Sequence, residues 1–201
     1  FNGDPRDYQT WRDSFDSAIH LNDTLAEVDK FNYLRSLLVG PALSAIAGLS
    51  VTKENYAVAI ELVANRFGQK HVVISSHMDS LMKTPMVVDM DDARGLRQVY
   101  NRVESNLRSL KSLGVGSEGY GCLLVPVILS RLPEEMRLII SRQINPRGGV
   151  WELELLLEVF KSELEARERA GLMAAGSIKQ VRRSAPVKAS AAAMLSATDE
   201  F

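Results

Sequence analysis

The chain has one cysteine in 201 residues, so it holds neither an internal disulfide nor a zinc knuckle of its own. Cys122 falls in the apolar run GCLLVPVIL, where a buried, inert thiol in a reducing compartment is expected. An excess of one charge sign is missing too: the formal net charge of −1 supplies no whole-protein attraction to nucleic acid or anionic membrane. No apolar stretch approaches the ~20 residues that span a bilayer, because Pro126 and Arg131 interrupt the best candidate. A glycine-rich phosphate loop and a G-x-S-x-G elbow are lacking, and Asp79-Ser80 is followed by Leu81 where an aspartic protease needs glycine. His71 and His77 are six residues apart, about 600° around a helix, which sets them on different sides. No enzyme activity, cofactor or metal is therefore expected. The chain starts at Phe1 without a methionine or a signal-peptide pattern, which suggests a piece of a longer polypeptide.

What the sequence does have is helical periodicity, on an ordinary globular balance of 46% hydrophobic and 24% charged residues. In FNGDPRDYQTWRDSF, Asp4 can cap a helix that Pro5 opens, with Tyr8, Trp11, Phe15 and Ile19 on one stripe. His20 then sits as a favourable charge near the helix C-terminus. A second helix is expected over 24–39, with Thr24 and Glu27 at capping-box spacing and Gly40-Pro41 as the stop. PALSAIAGL reads as a short third helix whose small residues allow close approach. Thr52 caps a fourth with Tyr56, Ile60, Val63 and Phe67 inward, ended by a left-handed Gly68. A fifth covers 70–82 and Pro85 breaks it, so a lobe of residues 1–84 is followed by a linker over 83–88 and a second lobe of residues 85–170.

The second lobe opens with a helix over 91–113, started by Asp91 and Asp92 and ended by Gly114. Its stripe is Ala93, Leu96, Tyr100, Val103, Leu107 and Leu110. Helices over 119–131 and from Pro133 follow, and NPRGG at 145–149 is a turn. In the final helix, 150–170, Val150, Leu153, Leu157, Phe160 and Leu164 share one arc while Trp151, Leu155 and Val159 share another. Two arcs imply either a central helix buried on both sides or a second face, anchored by Trp151, against another subunit. Residues 171–201 turn to Ala and Ser with no sustained apolar face and are expected to be a flexible tail. Lys179, Arg182, Arg183 and Lys188 outnumber its two carboxylates, which makes it weakly basic and a candidate RNA contact.

The order and spacing of FNGDPRDYQTWRDSF, VDKFNYLRSLLVGPALSAIAGL, NYAVAIELVANRFGQKHVVISSHMDSL, LGV and LLVPVILSRLP, over about residues 1–143, resemble the Gag-like region of Bel/Pao-type LTR retrotransposons. That resemblance implies an all-α, two-lobed retroviral-capsid-like protein with a short linker, and the count from periodicity, about five helices before the linker and about four after it, agrees with that architecture. The resemblance also implies self-assembly into cytoplasmic virus-like particles around the element's RNA, through rings of N-terminal lobes and two-fold contacts of C-terminal lobes. The alternative is a domesticated Gag descendant serving as an adaptor or RNA-binding module. For the two-arc helix the expected outcome divides cleanly: Trp151→Ala impairs assembly with little change in melting temperature if its arc meets a partner, and lowers the melting temperature if the helix is central.

Overall fold

The computed structural model describes the backbone of residues 1–116, 119–144 and 151–183, with side chains through Gly171. Among these residues every regular element is helical. The α-helices are α1 (Tyr8–Phe15), α2 (Glu27–Leu37), α3 (Gly40–Ile46), α4 (Lys53–Val63), α5 (Lys70–Met82), α6 (Ala93–Ser112), α7 (Gly121–Ser130), α8 (Glu134–Ile144) and α9 (Leu153–Arg183). The chain is all-α, as its periodicity predicts.

The opening motif is a helix start: the Asp4 carboxylate accepts from the Arg6 backbone N–H at 3.0 Å and Pro5 begins a 3-10 turn that runs into α1. Past Phe15 the helix widens into a π turn, Asp16–His20, closed by Leu21 N–H on Asp16 O at 3.0 Å. That turn carries His20 to Tyr56, 2.7 Å between Nδ1 and the hydroxyl, a contact more specific than the expected dipole interaction. Burial pushes the Tyr56 phenol up to about 12. A second π turn, Ala64–Gly68, closes α4 and presents Phe67 to the same core.

Three predicted helix ends move. α2 starts at Glu27, because Asn22 Oδ1 takes both the Thr24 N–H (2.9 Å) and the Thr24 hydroxyl (2.7 Å), so Thr24 closes a turn instead of capping a helix. Gly40, at φ +53°, and Pro41 open α3 instead of stopping α2, whose last residue is Leu37. Gly68 is not left-handed. Its constraint is space, since a Cβ there would lie 2.3 Å from the Tyr8 ring. Gly114 does take the left-handed role at φ +75°: its N–H reaches Lys111 O, and Val115 N–H reaches Leu110 O, the paired bonds of a Schellman end to α6. α9 continues past the expected end near residue 170, as far as Arg183.

Two apolar clusters hold the molecule together. The first joins Tyr8, Phe15, Phe31, Leu34, Tyr56, Val63 and Phe67, with Trp11 stacked between Phe1 and Phe15 at ring centroid distances of 4.9 and 5.5 Å. The second gathers buried residues of α6, α7, α8 and α9, and also claims Leu81 together with the partly buried Ile74 and Met78. α5 thus packs on the second cluster and also against the Pro5–Asp7 and Ala64–Gly68 turns. The segment after α5 is anchored: Val87 N–H donates to Arg131 O at 2.8 Å, and Val87 and Met90 are buried in the second cluster. Guanidiniums of Arg102 and Arg131 donate to Lys83 O and Met82 O, the carbonyls left open at the end of α5. Cys122 corrects an expectation as well. It is exposed, because α7 turns Leu124, Val125 and Ile128 inward instead.

Phe15→Ala removes a buried ring from the first cluster and is expected to cost ~3–5 kcal/mol in urea unfolding. Gly68→Ala pushes a methyl into Tyr8 and is expected to cost ~1–3 kcal/mol by the same measurement. Cys122 is expected to react with a thiol reagent in the folded protein at a rate close to that of the unfolded chain.

Candidate functional site

α9 decides how the predicted contact residues are used. At about 100° per residue Leu156 falls between the Leu153–Phe160 arc and Val159, filling the gap that made two arcs out of one. Leu153, Leu156, Val159, Phe160 and Leu164 are all buried in the second cluster, which α9 completes by packing against α6, α7 and α8. Trp151 precedes the helix and lies partly buried on that same cluster. Of the three expected interface residues, Trp151 and Val159 are thus drawn into their own core, and Leu155 alone is exposed, at 37%. They do not form one outward face. Farther along, Arg97 on α6 makes an ion pair with Glu168, holding that carboxyl below its ordinary range. Lys179, Arg182 and Arg183 stand in the last turns of α9, and Lys188 lies outside the described residues.

Uncovered apolar side chains occur elsewhere. Tyr33 and Leu37 are one turn apart on α2, Val39 follows them, and Val58 and Leu62 are one turn apart on α4. α2 and α4 pack together with Phe31, Leu34, Tyr56 and Val63 between them, so both helices spend one face on the core and still present an apolar pair outside. Periodicity at the sequence level found the inner faces. The outer pairs were hidden because each is only two residues among charges.

A second feature was missed at sequence level, a polar seam along α5. Asn106 occupies a core position of α6, and its Nδ2 donates to Arg102 O at 2.7 Å and to Ser80 Oγ at 3.3 Å. That fixes Oδ1 toward His77, 2.8 Å from Nδ1, so the imidazole donates from Nδ1. Ser80 Oγ also accepts from Arg6 Nη1 at 2.9 Å, and Arg6 holds Asp4 through Nε at 3.0 and 3.2 Å. The paired guanidinium holds the Asp4 carboxyl below its usual range. His77, Ser80, Thr84 and Asn106 are all buried. The legible signal was Asn106, an amide three residues after Val103 and four before Leu110 on an otherwise apolar stripe.

Beside the seam an open groove of about 610 Å³ is lined by Asp4, Arg6, Ser76, Asp79, Lys83 and Arg102 among others. Its cations are engaged by Asp4, by Asp79 and by the Lys83 carbonyl. Another groove, of about 500 Å³, runs between α6 and α9 over Leu107, Tyr120, Leu153 and Leu157. Among the described residues no group of three or more His, Cys, Asp or Glu could hold a metal ion, and no helix is long and apolar enough to cross a membrane.

The family model described as "Protein of unknown function (DUF1759)" matches residues 1–145. No curated protein and no solved structure matches the chain.

Phe160→Ala is expected to cost ~3–5 kcal/mol of stability, whereas Leu155→Ser stays within ~0.5 kcal/mol, both read by urea unfolding. For Asp4, the folded carboxyl lies below its unfolded value, so its contribution is present above the unfolded pKa of about 3.9 and is lost as pH falls through the folded one. Melting curves should show Asp4→Asn less stable than the parent at neutral pH, with the gap closing once the pH drops below about 4.

Proposed function

The chain belongs to the DUF1759 family, and from that premise we propose that it is the structural capsid (Gag) protein of a Bel/Pao-type LTR retrotransposon. In this reading it assembles with copies of itself into cytoplasmic virus-like particles around the element's RNA. The family is commonly found in retrotransposon Gag-like regions, which supports the reading. The structural observation that carries it is the pair of apolar stripes left outside the first core, Tyr33 and Leu37 on α2 and Val58 and Leu62 on α4. A shell subunit needs several small contacts, each weak enough to correct errors, and two-residue stripes on rigid helices supply them without one large sticky surface. RNA is then held through the basic residues Lys179, Arg182, Arg183 and Lys188 or through sequence beyond this chain.

The test is direct. Purified protein taken through rising concentration and salt should give particles, tubes or discrete oligomers in electron micrographs and light scattering. Leu37→Glu with Leu62→Glu should abolish them while leaving the melting temperature within a few degrees, since both side chains are exposed. A parent protein that stays monomeric under every such condition overturns the capsid reading and favours the domesticated adaptor or RNA-binding module.

A further inference from the structure

Positive charge is spread unevenly over the chain. α6 carries five cations, Arg94, Arg97, Arg102, Arg108 and Lys111, against the single carboxylate of Glu104, in a molecule whose formal net charge is −1. Its inner stripe, with Leu96, Val99, Val103 and Leu110, is buried in the second cluster, which leaves the charged side chains on the outside. At about 100° per residue Arg94, Gln98, Asn101, Arg102, Arg108 and Lys111 fall within about half of the helix circumference, and all six are exposed. They run for about 26 Å at 1.5 Å per residue. No large apolar side chain of α6 is exposed among them.

Two of the five cations are committed, Arg97 to Glu168 and Arg108 to Glu104. Among the described residues Arg102 donates only to the Lys83 carbonyl, at 3.4 Å, and Arg94 and Lys111 have no hydrogen-bond or ion-pair partner. Neighbouring elements extend the row. Lys83, paired with Asp79, lies beside Arg102, and Lys70 Nζ stands 3.8 Å from where a Cβ on Gly114 would lie, just past the end of α6. The acids at the other end are Asp91 and Asp92, and Asp92 is spent on the Gly95 N–H.

We propose that this outer face of α6 binds RNA through its phosphodiester backbone; that the polyanion is RNA rests on the capsid reading above. Guanidiniums without a carboxylate partner offer paired donors to phosphate oxygens, and the Gln98 and Asn101 amides between them add the neutral donors that backbone contacts also use. Tyr100, the aromatic residue of the helix, is buried with its ring edge-on to Phe160, so α6 offers no ring to stack on a base and the contact is independent of sequence. A helix lying on a membrane surface needs an apolar anchor beside its charges, and this face has none.

Fluorescence anisotropy of a labelled oligouridylate of about 20 nucleotides, with the full chain at concentrations where light scattering shows no particles, reads the contact. Affinity is expected to fall as salt rises from about 50 to 200 mM. Arg94→Gln with Arg102→Gln and Lys111→Gln should weaken it at least about tenfold at the lower salt and make the log–log salt slope shallower by about two, at about 0.7 per phosphate contact. Arg35→Gln with Lys53→Gln and Arg137→Gln, at exposed cations of α2, α4 and α8, makes the same change in net charge and should stay within about twofold of the parent. Helical circular dichroism checks folding, and Arg94→Gln alone, which removes no bond among the described residues, should lower the slope by about 0.7. Four results overturn the inference: no binding by the parent at the lower salt, an unchanged slope in the α6 variants, an equal loss in the control variant, or equal affinity for a labelled oligoglutamate of the same length, which would assign the face to an acidic protein. Particle formation without RNA is scored separately. Particles from a chain that fails these tests overturn the α6 contact and leave the capsid reading standing, whereas α6-dependent binding by a chain that never assembles upholds the contact and removes the capsid reading alone.

Discussion

One helix has to satisfy two neighbours of opposite character, and much of the architecture follows from how α5 does so. Toward α6 it offers hydrocarbon together with the His77 imidazole, and toward the N-terminal turn it offers the Ser80 hydroxyl. Burying such groups costs several kcal/mol unless each finds a partner. The partners are supplied from distant points of the chain, Arg6 from the start and Asn106 from the middle. A polar contact of this kind rewards one geometry, because displacement by an ångström loses the bonds outright, whereas apolar surfaces slide with little penalty.

The amount of this that could be read in the sequence depends on whether the governing interaction is local. Asp4-Pro5, Thr52 and Asp92 cap their helices through bonds spanning two to three residues, so their positions were legible from residue type and spacing. The start of α2 was not, because Asn22 competes for Thr24 by an equally local bond that a capping-box pattern does not weigh. Gly68 was assigned the wrong reason, since the Tyr8 ring that crowds it comes from sixty residues earlier. The candidate contact face on α9 depended on whether Leu156 bridges two arcs, and three surrounding helices settle that. Periodicity gives the angle of each residue and says nothing of how many neighbours encircle the rod.

Near-neutral charge and modest apolar stripes suit one another. With a formal net charge of −1, copies of the chain repel weakly at long range, so even small contacts can hold them together. The α2 and α4 stripes are set among charged residues such as Arg35, Glu54 and Glu61, which in the proposed assembly would limit how far two molecules slide past one another before like charges meet. Orientation can then be set by a pattern of exclusion as much as by attraction.

The two π turns carry a consequence for how the chain tolerates changes in length. Each holds one residue more than an ordinary helical turn over the same rise, at Asp16–His20 and again at Ala64–Gly68. Deleting a residue there would restore regular winding and remove the wide turn that carries His20 to Tyr56 in the first case and Phe67 to Phe1 in the second. These short stretches behave as phase markers: the spacing on either side is counted from them, and an indel silent in a surface loop would be decisive here.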